Sequence, residues 1–285
     1  MATALRRPGG DGGYFGPGSL AWQIHASRAG IAGGLRALLL QALNPLAMAA
    51  VAQHSTFRED PWGRLMATSR YLMDTIYGDT ATADRAAARV RAIHRRLSGI
   101  DDFTGLAYRA DDPELLLWVH CTEVHSFMSG YRHYDSELSV SQRDRYVGEM
   151  VKAAELVGLD AGDVPATYED LTYYLRTQVM VASPAAVDAM RFILSPPVPL
   201  PGGRLPDFPG SRILIVPGKA AWAVPAAAAV AILPERARKA YKLPNLRPML
   251  PTLKPALSAF TAAMRRLVPP PSDARDGVRD ARLEA

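Results

Sequence analysis

Six histidines and one arginine–threonine pair are the side chains in this sequence whose types and spacing invite chemistry. The histidines are His25, His54, His94, His120, His125 and His133. His120 and His125 stand five apart, on different faces of a helix, so they would not chelate one ion together. His94 has a more informative setting. At helical spacing Val90, Ile93 and Leu97 share its face, while Arg89, Arg91, Arg95 and Arg96 occupy the remainder. A neutral imidazole on an apolar face offers a nitrogen lone pair in a water-poor place, which the axial ligand of a haem iron requires. The same pattern also describes a core histidine satisfied by packing. Arg64 and Thr68, four apart, lie on one helix face. A guanidinium buried there needs an anion such as a haem propionate or a carboxylate, and a threonine hydroxyl can donate to dioxygen or orient a water. The alternative is a surface arginine in an ion pair and a threonine bonded to its own turn.

Several chemistries are excluded by what is missing. No HExxH and no helical Glu-x-x-His pair occurs, which removes zinc-protease and carboxylate di-iron readings. Neither a dinucleotide fingerprint, nor a phosphate-binding P-loop, nor a GxSxG nucleophile elbow is found. The single cysteine, Cys121, cannot form an internal disulfide or a thiolate cluster.

The elements that must position these residues read as helices almost throughout. A first helical stretch, Trp22–Gln53, is broken near Gly30–Gly34 and at Asn44-Pro45. Asp60-Pro61 and Asp112-Pro113 each supply a capping aspartate and a proline at the first helical position. They open helices over Gly63–Tyr77 and from Pro113 to about Gly130. Between them, Asp79 or Thr80 starts a helix to about Ser98, followed by a loop through Asp101, Asp102 and Gly105. Ser139 or Ser141 caps a helix ending near Gly158. Further helices are expected over Tyr168–Val181, from Ser183-Pro184 to Ser195, and over the apolar segments Lys219–Leu233 and Pro251–Leu267. A proline-rich loop fills residues 196–210, and only Ser211–Val216 alternates like a strand. The fold class expected is all-α: one helical domain over residues 21–268, between disordered tails at 1–20 and 269–285.

Composition agrees with a globular protein, at 48% apolar and 21% charged residues. The net charge of +5 is spread along helices and is not interleaved with aromatics, so no nucleic-acid partner is expected. The longest apolar run, Ala220–Leu233, is too short to span a bilayer and contains Pro225, so no membrane span is expected. With no apolar leader after Arg6 and Arg7, a cytoplasmic location is the default expectation. The oligomeric state is left open.

An ordered set of segments carries a family resemblance. These are Trp22-Gln-Ile-His25, Leu38 to Pro45, Val51 to Phe57, Asp60-Pro-Trp-Gly-Arg64, Thr68, Arg91-Ala-Ile-His94, Asp112 to His120 and Leu233 to Tyr241. Over about residues 20–245 the chain resembles the latex-clearing (rubber) oxygenases and the oxygenase of the mycophenolate pathway. The resemblance implies a globin-like helical core holding haem b, and oxidative cleavage of a C=C bond by dioxygen into two carbonyl fragments. The substrate would be a hydrophobic small molecule, bound along helices such as 112–130 and 219–233. His94 is the implied axial ligand and metal-binding residue, with His120 second. Arg64 would bind a propionate or polarise the pocket, and Thr68 would contact oxygen or water. His54 would either donate to a bound ligand or cap a helix end. The rubber-cleaving members read Arg-x-x-Lys-Thr where this chain reads Arg64-Leu-Met-Ala67-Thr68. The missing lysine implies an open or water-filled sixth iron position and puts rubber cleavage itself in doubt. Two further readings remain: a haem-binding, sensing or weakly peroxidatic protein, and a helical interaction domain without cofactor.

Overall fold

The computed structural model describes residues 11–197 and 215–267. Of the tails expected at residues 1–20 and 269–285, residues 1–10 and 269–285 lie outside the described residues, as does most of the proline-rich loop, while residues 11–20 are described and the Tyr14 hydroxyl among them donates to Asp84 Oδ1 (2.8 Å). Twelve α-helices and one short hairpin make up the described chain: α1 (Leu20–Ala26), α2 (Gly30–Gln41), α3 (Pro45–His54), α4 (Pro61–Tyr77), α5 (Thr80–His94), β1 (Ser98–Ile100), β2 (Ala107–Arg109), α6 (Pro113–Tyr134), α7 (Val140–Val157), α8 (Tyr168–Thr177), α9 (Pro184–Leu194), α10 (Ile215–Ala231), α11 (Glu235–Ala240) and α12 (Leu250–Leu267). The fold is all-α, as expected.

The pair α2–α6 is the central packing of the molecule. It depends on glycine. A Cβ on Gly130 would lie 3.1 Å from the backbone of Gly33, and a Cβ on Gly33 would lie 3.1 Å from the backbone of Ser126 and Phe127. The two helices therefore meet backbone to backbone, and their flanking side chains interlock around Trp22, Leu39, Trp118, Met128 and Tyr146. The expected break at Gly30–Gly34 is displaced for this reason. The chain bends at Ser27–Ala29, and the glycines sit inside α2 as its contact surface.

Helix ends are closed by local capping and by distant aromatic groups. Asp60, Asp79, Asp112, Ser139, Thr167 and Ser183 each accept a backbone N–H from the first turn of the helix that follows. The last carbonyls of a helix lack intrahelical partners. Here Trp118 Nε1 donates to the Gln41 carbonyl at the end of α2 (3.0 Å), and Tyr241 donates to that of Leu39 (2.8 Å). Trp222 Nε1 closes α9 through Ile193 (3.0 Å), and Tyr134 closes α10 through Ala228 (2.8 Å).

Three elements differ from expectation. The loop at Asp101–Gly105 is the tip of the antiparallel hairpin β1–β2, closed by Asp101, whose side chain accepts from Thr104. Strand residues too few to show alternation gave no signal. Of the strand expected at Ser211–Val216, residues 211–214 lie outside the described residues, and Ile215 and Val216 begin α10. The helix expected over Tyr168–Val181 stops at Thr177, and Val181 N instead donates to the Leu43 carbonyl (2.8 Å). Among the described residues no single helix is long and apolar enough to cross a membrane; α2 and α3 qualify together by composition but meet at 102°.

Candidate functional site

Helix α4 is the anomaly of the fold. It has 17 residues, yet only Thr75, Ile76 and Tyr77 at its C-terminal end are buried. That end is anchored on α1, where Tyr77 packs edge-on to Trp22 at 4.8 Å and its hydroxyl donates to the Trp22 carbonyl. The N-terminal end is fixed by Trp62, whose Nε1 donates to the Pro197 carbonyl (2.6 Å) and whose ring meets Trp222 edge-on at 5.1 Å. Between these anchors, Met66 is 63% and Met73 41% exposed. Antiparallel to α4 runs α5, equally bare at its far end: Ile93 is 46% exposed. At 100° per residue Met66 and Met73 lie on the side of α4 opposite Arg64 and Thr68, so these exposed apolar side chains mark its outer face.

Arg64, Thr68 and His94 stand at this open end. From the α4–α5 turn, Arg64 lies thirteen residues back from Tyr77 and His94 fourteen residues on from Thr80, each about 20 Å along its helix axis. The structure brings them together, for the Arg64 charge acts on His94. Burial and then that charge hold the imidazole below its ordinary pKa, against the weaker pull of Asp111. The ring is therefore neutral at physiological pH, with a lone pair to offer. Its Nδ1 is buried without a hydrogen-bond partner. The backbone beneath it is firm: Arg91 donates to the Leu156 carbonyl at the end of α7, and Ala110 N closes the hairpin onto the Leu97 carbonyl (2.8 Å).

Arg64 makes no ion pair among the described residues. Its Nη1 donates to Thr68 Oγ1 (2.5 Å), and the Thr68 hydroxyl donates in turn to the Arg64 carbonyl (3.1 Å). Arg64 is exposed, and the crowding around its guanidinium lowers its pKa without discharging it. The arginine and threonine therefore form one unit, a cation without a carboxylate.

The other candidates lie elsewhere. His54 is exposed at the end of α3, with Nε2 3.0 Å from the Tyr108 hydroxyl, which itself donates to Gln53 Oε1 (2.7 Å). His54 is thus tied to the hairpin. His120 is buried in α6, and burial pushes its pKa down to about 4.

One residue was missed in the sequence. Glu123 lies three positions from His120, on the same side of α6. Burial raises its carboxyl to about 7, and its charge reaches Tyr71 on α4, whose hydroxyl burial and Glu123 together push up to about 12. A carboxylate in the middle of Trp118-Val-His-Cys-Thr-Glu-Val-His-Ser-Phe127 was the available signal: a charge inside an apolar helix. Among the described residues no group of three or more His, Cys, Asp or Glu side chains could hold a metal ion. One imidazole does not retain a bare ion, so a metal at His94 would have to arrive with most of its own ligands.

The sequence profile of the family described as ER-bound oxygenase mpaB/B'/rubber oxygenase, catalytic domain, matches residues 22–268. The chain belongs to this family. It is thus an oxygenase-family catalytic domain, an oxidoreductase class acting on a small molecule with dioxygen. The match covers every helix from α2 to α12 and nearly all of α1. No curated protein and no solved structure matches the chain.

Proposed function

We propose that this oxygenase-family domain binds haem b between α4–α5 and α6, where His94 would hold its iron, and oxidises a hydrophobic small molecule at a C=C bond. The observation that carries the reading is the pairing of a neutral His94, whose Nδ1 is buried without a partner, with an Arg64 that has no ion pair among the described residues. Those residues suit a macrocycle with an iron, two carboxylate arms and greasy edges. When bound, haem supplies the activation of dioxygen and the redox chemistry of cleavage into two carbonyl products.

The chain's own residues do the rest. His94 supplies a nitrogen held neutral by burial and by Arg64. Arg64 receives a propionate in a charge-assisted hydrogen bond. Its contact with Thr68 keeps that hydroxyl at the open end, where it can turn from the Arg64 carbonyl to a small ligand. Ala67 stands where rubber-cleaving relatives have lysine, so α4 would present no amine to the bound group. On α4, half-buried Leu65 and Leu72 stand next to the Arg64–Thr68 face and would give the site apolar surface, which favours a hydrophobic substrate. His54, engaged with Tyr108, is assigned to the hairpin.

The test is aerobic incubation of the haem-loaded protein with a panel of terpenoid and polyketide alkenes. Carbonyl products that require both haem and dioxygen are expected. Arg64→Met should lower haem occupancy about tenfold, the value of one lost charge-assisted contact of about 1.4 kcal/mol. A haem-loaded protein that converts none of the panel would indicate a binding or sensing role instead.

A further inference from the structure

On the far side of α6 from His120 and Glu123, the structure holds a cavity that the oxygenase reading does not use. It has a volume of about 270 Å³ and lies between α2, the second half of α6, the start of α8, the α10–α11 junction and Arg247. At 100° per residue, His125, Ser129 and Arg132 point roughly opposite to His120 along α6.

The innermost wall of this cavity is Arg36 on α2, one of the largest fully buried side chains in the protein. Its Nε donates to the Ile232 carbonyl (2.9 Å), Nη1 to Ser126 Oγ (2.6 Å) and Nη2 to His125 Nδ1 (3.0 Å). Those bonds use three of five guanidinium N–H groups, leaving one on each Nη. None of the partners is an anion. A buried cation without a counter-charge is costly, and proteins ordinarily pair it.

The surroundings deepen the imbalance. Arg132 reaches the same cavity with its Nε buried and unpartnered, and its nearest carboxylate, on the exposed Glu137, is 3.9 Å away. Arg247 completes the lining, and the charges of Arg132, Arg247 and Arg36 all act on His133. The cavity's one carboxylate, Glu235, is already bound to Lys239 at 2.6 Å. His125 accepts from Arg36 through Nδ1, so its Nε2 carries a proton and is a further donor. Among the described residues the site therefore offers three guanidinium groups and an imidazole N–H, with no free acceptor of charge.

We propose that this cavity is a binding site for a small organic anion, whose carboxylate or phosphate group is held by Arg36, Arg132 and Arg247. The planar, forked donors of arginine match both groups. The volume admits a ligand of modest size, too small for a macrocycle. Such a ligand replaces mutual repulsion among the arginines with attraction, so binding and stability are linked.

Isothermal titration calorimetry and thermal melts of the full chain test this, with inorganic phosphate and succinate as probes and sodium chloride at matched ionic strength as control. Arg36 is embedded in the core, so the variant is Arg132→Gln with Arg247→Gln, at half-buried and exposed positions. At least one probe should bind saturably at one site per chain, with Kd of about 1 mM or tighter, and raise Tm. The double variant should bind at least about tenfold more weakly, with a Tm without ligand equal to or above that of the parent. Saturation by phosphate alone or succinate alone identifies which group the site prefers. A Tm rise equal to that in chloride, or unchanged binding in the double variant, would overturn the proposal. Haem uptake involves neither arginine and should be the same in both proteins, so failure here and failure of the haem reading are separately visible.

Discussion

Acidity at single residues gives opposite, separable signatures. His25 and His120 are held by burial at about 3 and about 4, below the ordinary 6.5. As pH falls below 6.5 the unfolded chain takes up these protons and the native chain refuses them, so stability declines down to about pH 4 through His120 and on to about pH 3 through His25. Each refused proton costs up to about 1.4 kcal/mol per pH unit in that window. Glu123 behaves in reverse. Its native carboxyl, raised to about 7 from 4.5, favours the proton, so its contribution is complete below 4.5 and is lost as pH rises through about 7. Glu123→Gln should therefore stabilise the protein at pH 8 by something on the order of 1 kcal/mol and leave pH 4 unchanged. Urea titrations at the two pH values check this; equal effects at both would contradict the buried-carboxylate reading. At this scale the sequence exposed His94, Arg64 and Thr68 through helical spacing. It hid Arg36, because nothing in Gly34-Leu-Arg-Ala-Leu38 separates a buried guanidinium from a solvated one until α6 and α10 enclose it.

The helices were legible wherever a cap announced them, as at Asp60-Pro61, Asp112-Pro113 and Ser139. Where packing set the boundary, the pattern misled. Gly30–Gly34 reads as a breaker by propensity, yet the missing side chains are what let α2 lie against α6. Gly130→Ala should therefore destabilise the protein by about 1–3 kcal/mol, because the new methyl meets backbone that cannot rotate away. Alanine would otherwise be the better helix former, and a neutral or stabilising result in chemical denaturation would contradict the close approach. Six-residue α11 and the hairpin β1–β2 were invisible because so few residues show no period.

For the whole molecule, the account rests on one incomplete surface. Helices α2, α6 and α7 carry the core, while α4 buries only its last three residues and the outer end of the α4–α5 pair leaves Arg64 exposed and His94 half-buried. If haem completes that surface, its binding should stabilise the fold by linkage, at about 2.7 kcal/mol for ligand at a hundred times Kd. Backbone amides of α4 should then show the largest gain in protection from hydrogen exchange. The family assignment was reachable from ordered motifs along the chain, but the gap was not, since α4 has an ordinary amphipathic sequence and only its neighbours reveal that one face is bare. The most direct measurement is the absorption spectrum of the protein titrated with hemin, then reduced and exposed to carbon monoxide. A saturable Soret band at one haem per chain, lost in His94→Ala and kept in His120→Ala, is the predicted result. A chain that takes up no haem, or a band indifferent to His94, would contradict it.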